Sequence, residues 1–246
     1  MRIISLGWGV QSFTLAAMSA LGDLPKVDYA IHADTTHESQ LTYEFAKKWT
    51  PWLEERGVKV ITVKPDNSEI TDKWGGVMLP AYTGINSRIN RQCTYKWKIA
   101  PVRKWLQAKR NKEFVDQWIG ISLDEFQRMR DSDVKYIKNC YPLIEKRLSR
   151  LDCIKWLTKN GLEIPSKSAC TFCPFHTTRE WQEIKRTPID WMNAILVDSA
   201  IREALLPGRL FIHPSRKPLD QVDFRTAEEK GQLSLWDNEC TGMCGI

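Results

Sequence analysis

The chain has 246 residues, 42% hydrophobic and 27% charged, close to ordinary globular values, which argues against a disordered chain and leaves room for one large core or one domain with an appended subdomain. Lys and Arg exceed Asp and Glu by 36 to 30, a formal net charge of +6 that favours polyanionic partners such as nucleotides or nucleic acid. No stretch approaches the roughly 20 apolar residues of a spanning helix, and the start MRIISLGWG lacks a signal peptide's apolar segment and cleavage site, so a cytoplasmic protein with no membrane partner is expected.

RIIS at 2–5 is a short β-branched run, followed by the glycine-bearing loop LGWGVQ and then by SFTLAAMSAL, which has helix-forming composition and no proline. VDYAIHAD at 27–34 reads as a second strand. In ESQLTYEFAKKWTPWLEERG, Leu41, Phe45, Trp49 and Leu53 recur at four-residue spacing until Gly57 ends the helix. VKVITV at 58–63 is a third strand, and residues 65–90, rich in polar residues and glycine, read as a loop or lid. PVRKWLQAKR is helical in character, and FVDQWIGIS at 114–122 is a further buried strand. Ser149, Asp152 and Gly161 bracket SRLDCIKWLTKNG as a capped helix, and a Trp-rich helical region lies near 179–206. Strands alternating with helices predict an α/β fold, a parallel twisted sheet flanked by helices, with ligands outside the carboxyl ends of the strands. The expected organisation is a nucleotide-binding α/β domain at 1–145 and a helical, cysteine-rich extension at 146–246 packed on the same core. The eleven tryptophans are read as packing residues rather than a base-stacking stripe.

A glycine loop between the first strand and first helix presents backbone N–H groups and the positive end of the helix dipole to an anion. Ser5, Gly7, Gly9, Gln11 and Ser12 are the candidate residues there, with a plain tight turn as the alternative. The pattern GWGVQS is neither GxGxxG nor GxxxxGK[ST], which weakens dinucleotide and Walker readings. SLGWGVQSFTLA resembles the pyrophosphate loop of the adenine-nucleotide alpha-hydrolases (the PP-loop superfamily), and GVQS resembles the version in phosphoadenosine phosphosulfate (PAPS) reductases. Gln11 stands where ATP-using members carry an acid. HADTTHESQLTYEF is similar to the family's second motif, with Asp34 and Thr35 at a strand end and Thr42, Tyr43 and Glu44 at a helix start. The resemblance implies that Asp34 and Thr35 reach the ribose or adenine edge, and a helix cap is the alternative for Asp34. INRQCTYKWKIAP resembles the Arg-Cys-Cys-x-x-x-Lys-x-x-Pro segment of sulfonucleotide reductases, which makes Arg91, Lys96 and Lys98 candidate phosphate contacts. IGISLDEFQRMR is similar to a strand-end motif facing the nucleotide, where Ser122, Asp124, Glu125 and Arg128 fall, with a solvated face as the alternative.

Seven cysteines in an unexported chain raise the expectation of metal or redox chemistry over disulfides. Cys170 and Cys173 form CTFCPF, a turn that lets two thiolates face one metal. The resembled reductases bind a [4Fe–4S] cluster through a Cys-Cys pair and a later CxxC, which implies the set Cys93, Cys170, Cys173 and Cys244, with Cys240 left reactive. The rival set is Cys170, Cys173, Cys240 and Cys244, and zinc is the alternative metal. Glu239-Cys240 resembles the Glu-Cys-Gly tail in which a cysteine attacks the sulfonucleotide sulfur, so Cys240 is the candidate catalytic residue. Cys153 reads as a small packed hydrophobe and His32 as a buried strand residue. His176 sits at the cysteine turn or satisfies it, and His213 lies near the basic residues Arg216 and Lys217.

These features lead to an expected adenine-nucleotide-dependent enzyme of sulfur transfer, cleaving ATP between the α and β phosphates, with Mg2+ as candidate counter-ion. Its acceptor would be tRNA, DNA or a small molecule, and its further partner a sulfur-donor protein. The alternative is a PAPS or adenylyl-sulfate reductase that releases sulfite with an external thiol reductant. A nucleotide-binding regulator without turnover is the third reading.

Overall fold

Ile3 and Ile4 are both wholly buried, and adjacent strand residues point to opposite faces, so the first strand must be covered on both sides. A computed structural model describes residues 1–72, 75–84, 87–204, 209–226 and 228–231. In chain order the elements are β1 (Arg2–Ser5), α1 (Val10–Leu21), β2 (Tyr29–Ala33), α2 (Gln40–Glu55), β3 (Lys59–Val63), β4 (Tyr82–Thr83), a π-helical turn (Thr94–Ile99) and α3 (Ala100–Lys109). They continue with β5 (Val115–Ile119), a 3-10 segment (Leu123–Arg128), β6 (Ile137–Cys140), α4 (Pro142–Glu145), α5 (Arg150–Lys159), α6 (Thr178–Arg186), α7 (Pro188–Arg202), β7 (Leu210–Phe211) and a 3-10 turn (Leu219–Gln221).

The chain divides into two compact units, Met1–Asp66 with Lys96–Ser168, and Asn67–Tyr95 with Ala169–Ile246. In the first, the sheet runs β3-β2-β1-β5-β6, every neighbouring pair parallel. Ile4 joins the core built with α1, α2 and α5, whereas Ile3 joins Ile31, Val102, Leu106, Val115 and Ile137 on the α3 face. The fold is therefore the expected α/β sheet flanked by helices. The boundary expected at residue 145 is not where the structure divides. Cys153, Leu157 and Leu162 lie in the same core as Phe13 and Ala17, which places α5 with the sheet. The loop-like stretch 67–95 belongs with the cysteine-bearing part.

Local signals explain most helix ends. Gly22 closes α1 in the left-handed conformation, φ 90°, with its N–H on the Met18 carbonyl. Ser149 and Asp152 form a reciprocal capping box on α5, and Thr177 and Glu180 another on α6. Ser39 caps α2, whose buried residues are Thr42, Phe45, Trp49 and Leu53. Leu41, expected on that stripe, is 49% exposed. At about 100° per residue, twelve residues carry Leu41 roughly 120° away from Leu53, and Thr42 takes the inward position. β6, a sheet edge, and the two-residue strands β4 and β7 are strands the sequence reading did not anticipate.

In the second unit β4 and β7 pair antiparallel, and Trp181, wholly buried, packs with His176 and Phe224. Asp198 on α7, 1% exposed, pairs with Arg202 and accepts the N–H groups of Ile212 at 3.1 Å and Leu219 at 2.9 Å. Asp198→Ala strands those donors, and removing one partner of such a pair costs about 3 kcal/mol or more. Denaturant unfolding is expected to show that loss; a change below about 0.5 kcal/mol contradicts the role given to Asp198.

Candidate functional site

β1 is flanked by β2 on one side and β5 on the other, so the strand order reverses there, and in open α/β sheets the crevice outside the carboxyl ends of the strands at such a point is where ligands bind. The loop from Leu6 to Gly9 leads from β1 into α1. Gly9 is the N-cap of α1 and supplies no side-chain cap, and no acidic residue occupies the first turn. The first N–H groups of an α-helix have no intrahelical acceptor, so this end presents donors of the kind that anions accept. Ser12 Oγ accepts the Gly7 N–H at 3.2 Å and donates to the Gly9 carbonyl at 3.2 Å, folding the loop around itself.

The left-handed residue of this loop is Trp8, with φ 60°, rather than a glycine. Its indole is 2% exposed and packs with Phe13, His32 and Phe45. The backbone strain is thus held by burial of a large ring. A Cβ on Gly7 or Gly9 would meet nothing closer than 3.8 or 3.9 Å, so no protein neighbour demands glycine at either position. Gly120, at the end of β5, is different. Its added Cβ would stand 2.7 Å from Ser12 N and 2.9 Å from Ser12 Cα, both backbone atoms.

That contact sets the β5 loop against α1. Gln11 Nε2 donates to Ser122 Oγ at 3.3 Å and to Glu125 Oε2 at 3.1 Å, and Glu125 is ion-paired with Arg128. Ser5, Gln11, Ser12, Ser122 and Arg128 are therefore gathered at one end of the sheet. Asp124 is used elsewhere, accepting the Arg150 N–H at the start of α5.

Past β2, Asp34 is 6% exposed and accepts the Thr36 N–H and the Tyr43 hydroxyl, each at 2.8 Å, with Lys64 at 3.3 Å. Burial pushes its pKa up, but those donors outweigh it and hold the carboxyl below its ordinary value. Asp34 shapes the loop before α2 and does not cap that helix, a role taken by Ser39. Thr35 is wholly buried and donates to Glu38 at 3.4 Å. Glu38, 3% exposed, also accepts from Lys98 Nζ and Ser168 Oγ, both at 3.2 Å. Lys98, read from the sequence as a phosphate contact, is thus placed on a buried carboxylate. His32 is buried as expected; burial lowers its pKa, and Nδ1 lies 3.1 Å from the Leu6 carbonyl.

Trp8, Glu38 and Gly120 are the positioning residues the sequence reading missed. A glycine at a strand end signals close backbone approach, so Gly120 was detectable. Glu38 stands directly before the cap Ser39 and carries no pattern of its own, and nothing in propensity marks a tryptophan for positive φ.

In the second unit Cys170 and Cys173 are half-buried at a tight turn, the Cys173 N–H on the Cys170 carbonyl at 2.9 Å. His176 completes that turn, Nε2 lying 2.9 Å from the same carbonyl. Arg88 and Arg91 lie over the Phe175 ring at 5.0 and 5.8 Å. Cys93 belongs to this unit. Among the described residues no three His, Cys, Asp or Glu side chains form a group that could hold a metal ion. Cys93, Cys170 and Cys173 are thus not brought into one such group, and Cys240 and Cys244 lie outside the described residues. Cys153 is wholly buried among apolar side chains, which push its thiol up to about 11.

Sheet order, switch-point loop and uncapped helix define a doubly wound parallel α/β unit. No family model matches the sequence. No curated protein matches it. Among solved structures, the chain is similar to the crystal structure of phosphoadenylyl-sulfate (PAPS) reductase from Candida auris in a phosphate complex, with 11% identity and a TM-score of 0.46 over 67% of this chain and 74% of that one. Among the described residues, no helix is long and apolar enough to cross a membrane.

Gly120→Ala forces backbone to move and is expected to cost about 1–3 kcal/mol in denaturant unfolding, as overpacking does; a neutral result means the α1–β5 contact yields freely. Tyr43→Phe removes a donor to ionised Asp34. Because Asp34's folded pKa is depressed, its stabilisation is present above the unfolded carboxylate range and is lost as pH falls through the folded value. The stability gap between wild type and Tyr43→Phe should therefore be about 1–2 kcal/mol at neutral pH and shrink on acidification. A pH-independent gap would assign the effect to packing.

Proposed function

We propose that the chain is an enzyme that binds an adenine nucleotide at the β1–β5 crevice and uses it in sulfur chemistry, in the manner of the PAPS reductase-like adenine-nucleotide alpha-hydrolases that its motifs resemble. The observation that carries this reading is the α1 N-terminus, uncapped by any side chain, at the switch point of the sheet. Its N–H groups, with Gly7, Gly9 and Ser12, would hold the phosphates, and Ser5, Gln11, Ser122 and Arg128 would line the adjoining edge. Asp34, Thr35 and Lys98 would fix the loop beside the ribose through their own buried bonds.

The reaction favoured is sulfur transfer. An acceptor oxygen on a nucleic acid or small molecule attacks the α phosphorus, pyrophosphate leaves, and a donor's sulfur then displaces AMP. Each step develops negative charge on phosphate oxygens, which is what a helix N-terminus stabilises.

Gln11 favours a second reading, sulfonucleotide reduction, because an uncharged amide replaces the acid expected of ATP-using relatives. There the thiolate of Cys240 would attack the sulfonate sulfur and displace the nucleotide, and an external dithiol would then reduce the enzyme-bound thiosulfonate and release sulfite.

Calorimetry with ATP and with phosphoadenylyl sulfate tests the shared premise. At least one is expected to bind, and Ser12→Ala to weaken that binding about ten-fold or more, a loss of ~1.4 kcal/mol. Absence of binding by both, or an unaffected Ser12→Ala, removes the reading. Acceptor-dependent pyrophosphate release separates transfer from reduction, which instead releases sulfite and loses it in Cys240→Ser.

A further inference from the structure

In the second unit, α7, β7 and the turn after it enclose an open-sided pocket of about 430 Å3, within the roughly 300–1,000 Å3 typical of ligand sites. Four cations line it, Arg202, Arg209, Arg216 and Lys217, with Phe211 and Pro218 as its apolar wall. Glu203 is the single carboxylate among the described lining residues.

Two of these arginines are anchored. Arg202 is paired with Asp198, whose buried carboxylate also binds the backbone of Ile212 and Leu219, so the α7 wall and the turn are tied to one acceptor. Arg216 holds a left-handed backbone, φ 54°, and its Nε donates to the Thr83 carbonyl at 2.9 Å. A strained non-glycine residue on a pocket wall is the kind of outlier that clusters at ligand sites. Arg209 and Lys217 are exposed.

Guanidinium forks match the oxygens of a phosphate, and a partly enclosed pocket screens such pairs less than open surface does. The lining is nearly all donors. Among the described residues, the Ser199 hydroxyl and Glu203 carboxylate are its side-chain acceptors, and the excess of cationic donors suits the phosphate oxygens that every sequence shares. On its open side a polymer can continue past the bound group.

We propose that this pocket binds the phosphodiester backbone of a nucleic acid, independently of base sequence. The proposal deepens the nucleic-acid acceptor named in the reading above and does not depend on nucleotide binding at the sheet crevice.

The test is fluorescence anisotropy of a labelled single-stranded oligonucleotide of mixed sequence on the full chain across a salt series. Arg209→Gln with Lys217→Gln is expected to weaken binding at least ten-fold at low salt. It should also flatten the log–log salt slope by about 1.4, at ~0.7 for each lost contact. Both residues are exposed, so folding is expected to be intact, with an unchanged melting temperature. The control Lys109→Gln with Lys112→Gln removes the same charge from exposed positions of the other unit and should leave affinity and slope unchanged. Equal binding by the two double variants, or no binding by wild type, overturns the proposal. AMP displacing the strand at equal phosphate concentration would assign the pocket to small phosphate esters and overturn it as well. Ser12→Ala keeps the two readings apart: strand binding retained with nucleotide binding lost supports both, and strand binding lost in Ser12→Ala alone overturns the pocket.

Discussion

The switch point of the sheet unit is set by a contact between two backbone segments. The end of β5 lies so close to the first turn of α1 that one methyl group on Gly120 would stand 2.7 Å from the Ser12 nitrogen. That contact fixes which side chains face each other across the switch point, bringing Ser122 and Glu125 under Gln11. It also leaves the α1 N-terminus at the carboxyl edge of the central strands. Helix dipole, loop hydroxyls and the β5 network therefore converge on one place because the backbone approach permits it.

Buried carboxylates hold what surrounds this contact. Removing an acid from water is unfavourable unless donors replace the lost hydration. Asp34 takes a backbone N–H, a phenol and a lysine; Glu38 takes a lysine and two hydroxyls. Each of these donors comes from a loop or helix start with little apolar surface to pack. The second unit uses the same device at Asp198, where three donors from α7 and two later segments meet one carboxylate. In each case the cost of burial becomes a reason for irregular backbone to adopt a single course.

Much of the fold was legible in the sequence because it rests on local pattern. RIIS, YAIHA and KVITV are short β-branched or apolar runs separated by helical segments, and the capping box at Ser149 and Asp152 declares itself by residue type. β6 was not legible, since IKNC at a sheet edge shows a burial pattern with no clear alternation. The division between units was hidden for another reason. Cys153 and Leu157 would suit any apolar neighbour, and only the fold shows that neighbour to be the α1 core. At the candidate site, Gly7, Gly9 and Ser12 announced the loop, but Trp8 and Glu38 act through contacts made by residues far along the chain. The CxxC spacing likewise foretold a turn, and the turn is there; convergence of further ligands depends on tertiary structure that spacing does not encode.

Gln11 shows how a departure from a motif is absorbed by its neighbours. At 3.1 Å from Glu125, a carboxylate in place of this amide would set two acids against each other beside a single arginine. The amide donates instead, and Glu125 stays balanced by Arg128. The residue that looks anomalous in the loop is thus consistent with an acid delivered from the end of β5, so the charge of the crevice has to be counted across both strands. Counted that way, Glu125 and Arg128 cancel, and the positive character of the crevice comes from the α1 N-terminus. Any phosphate held there would meet helix N–H groups before it met a side-chain cation.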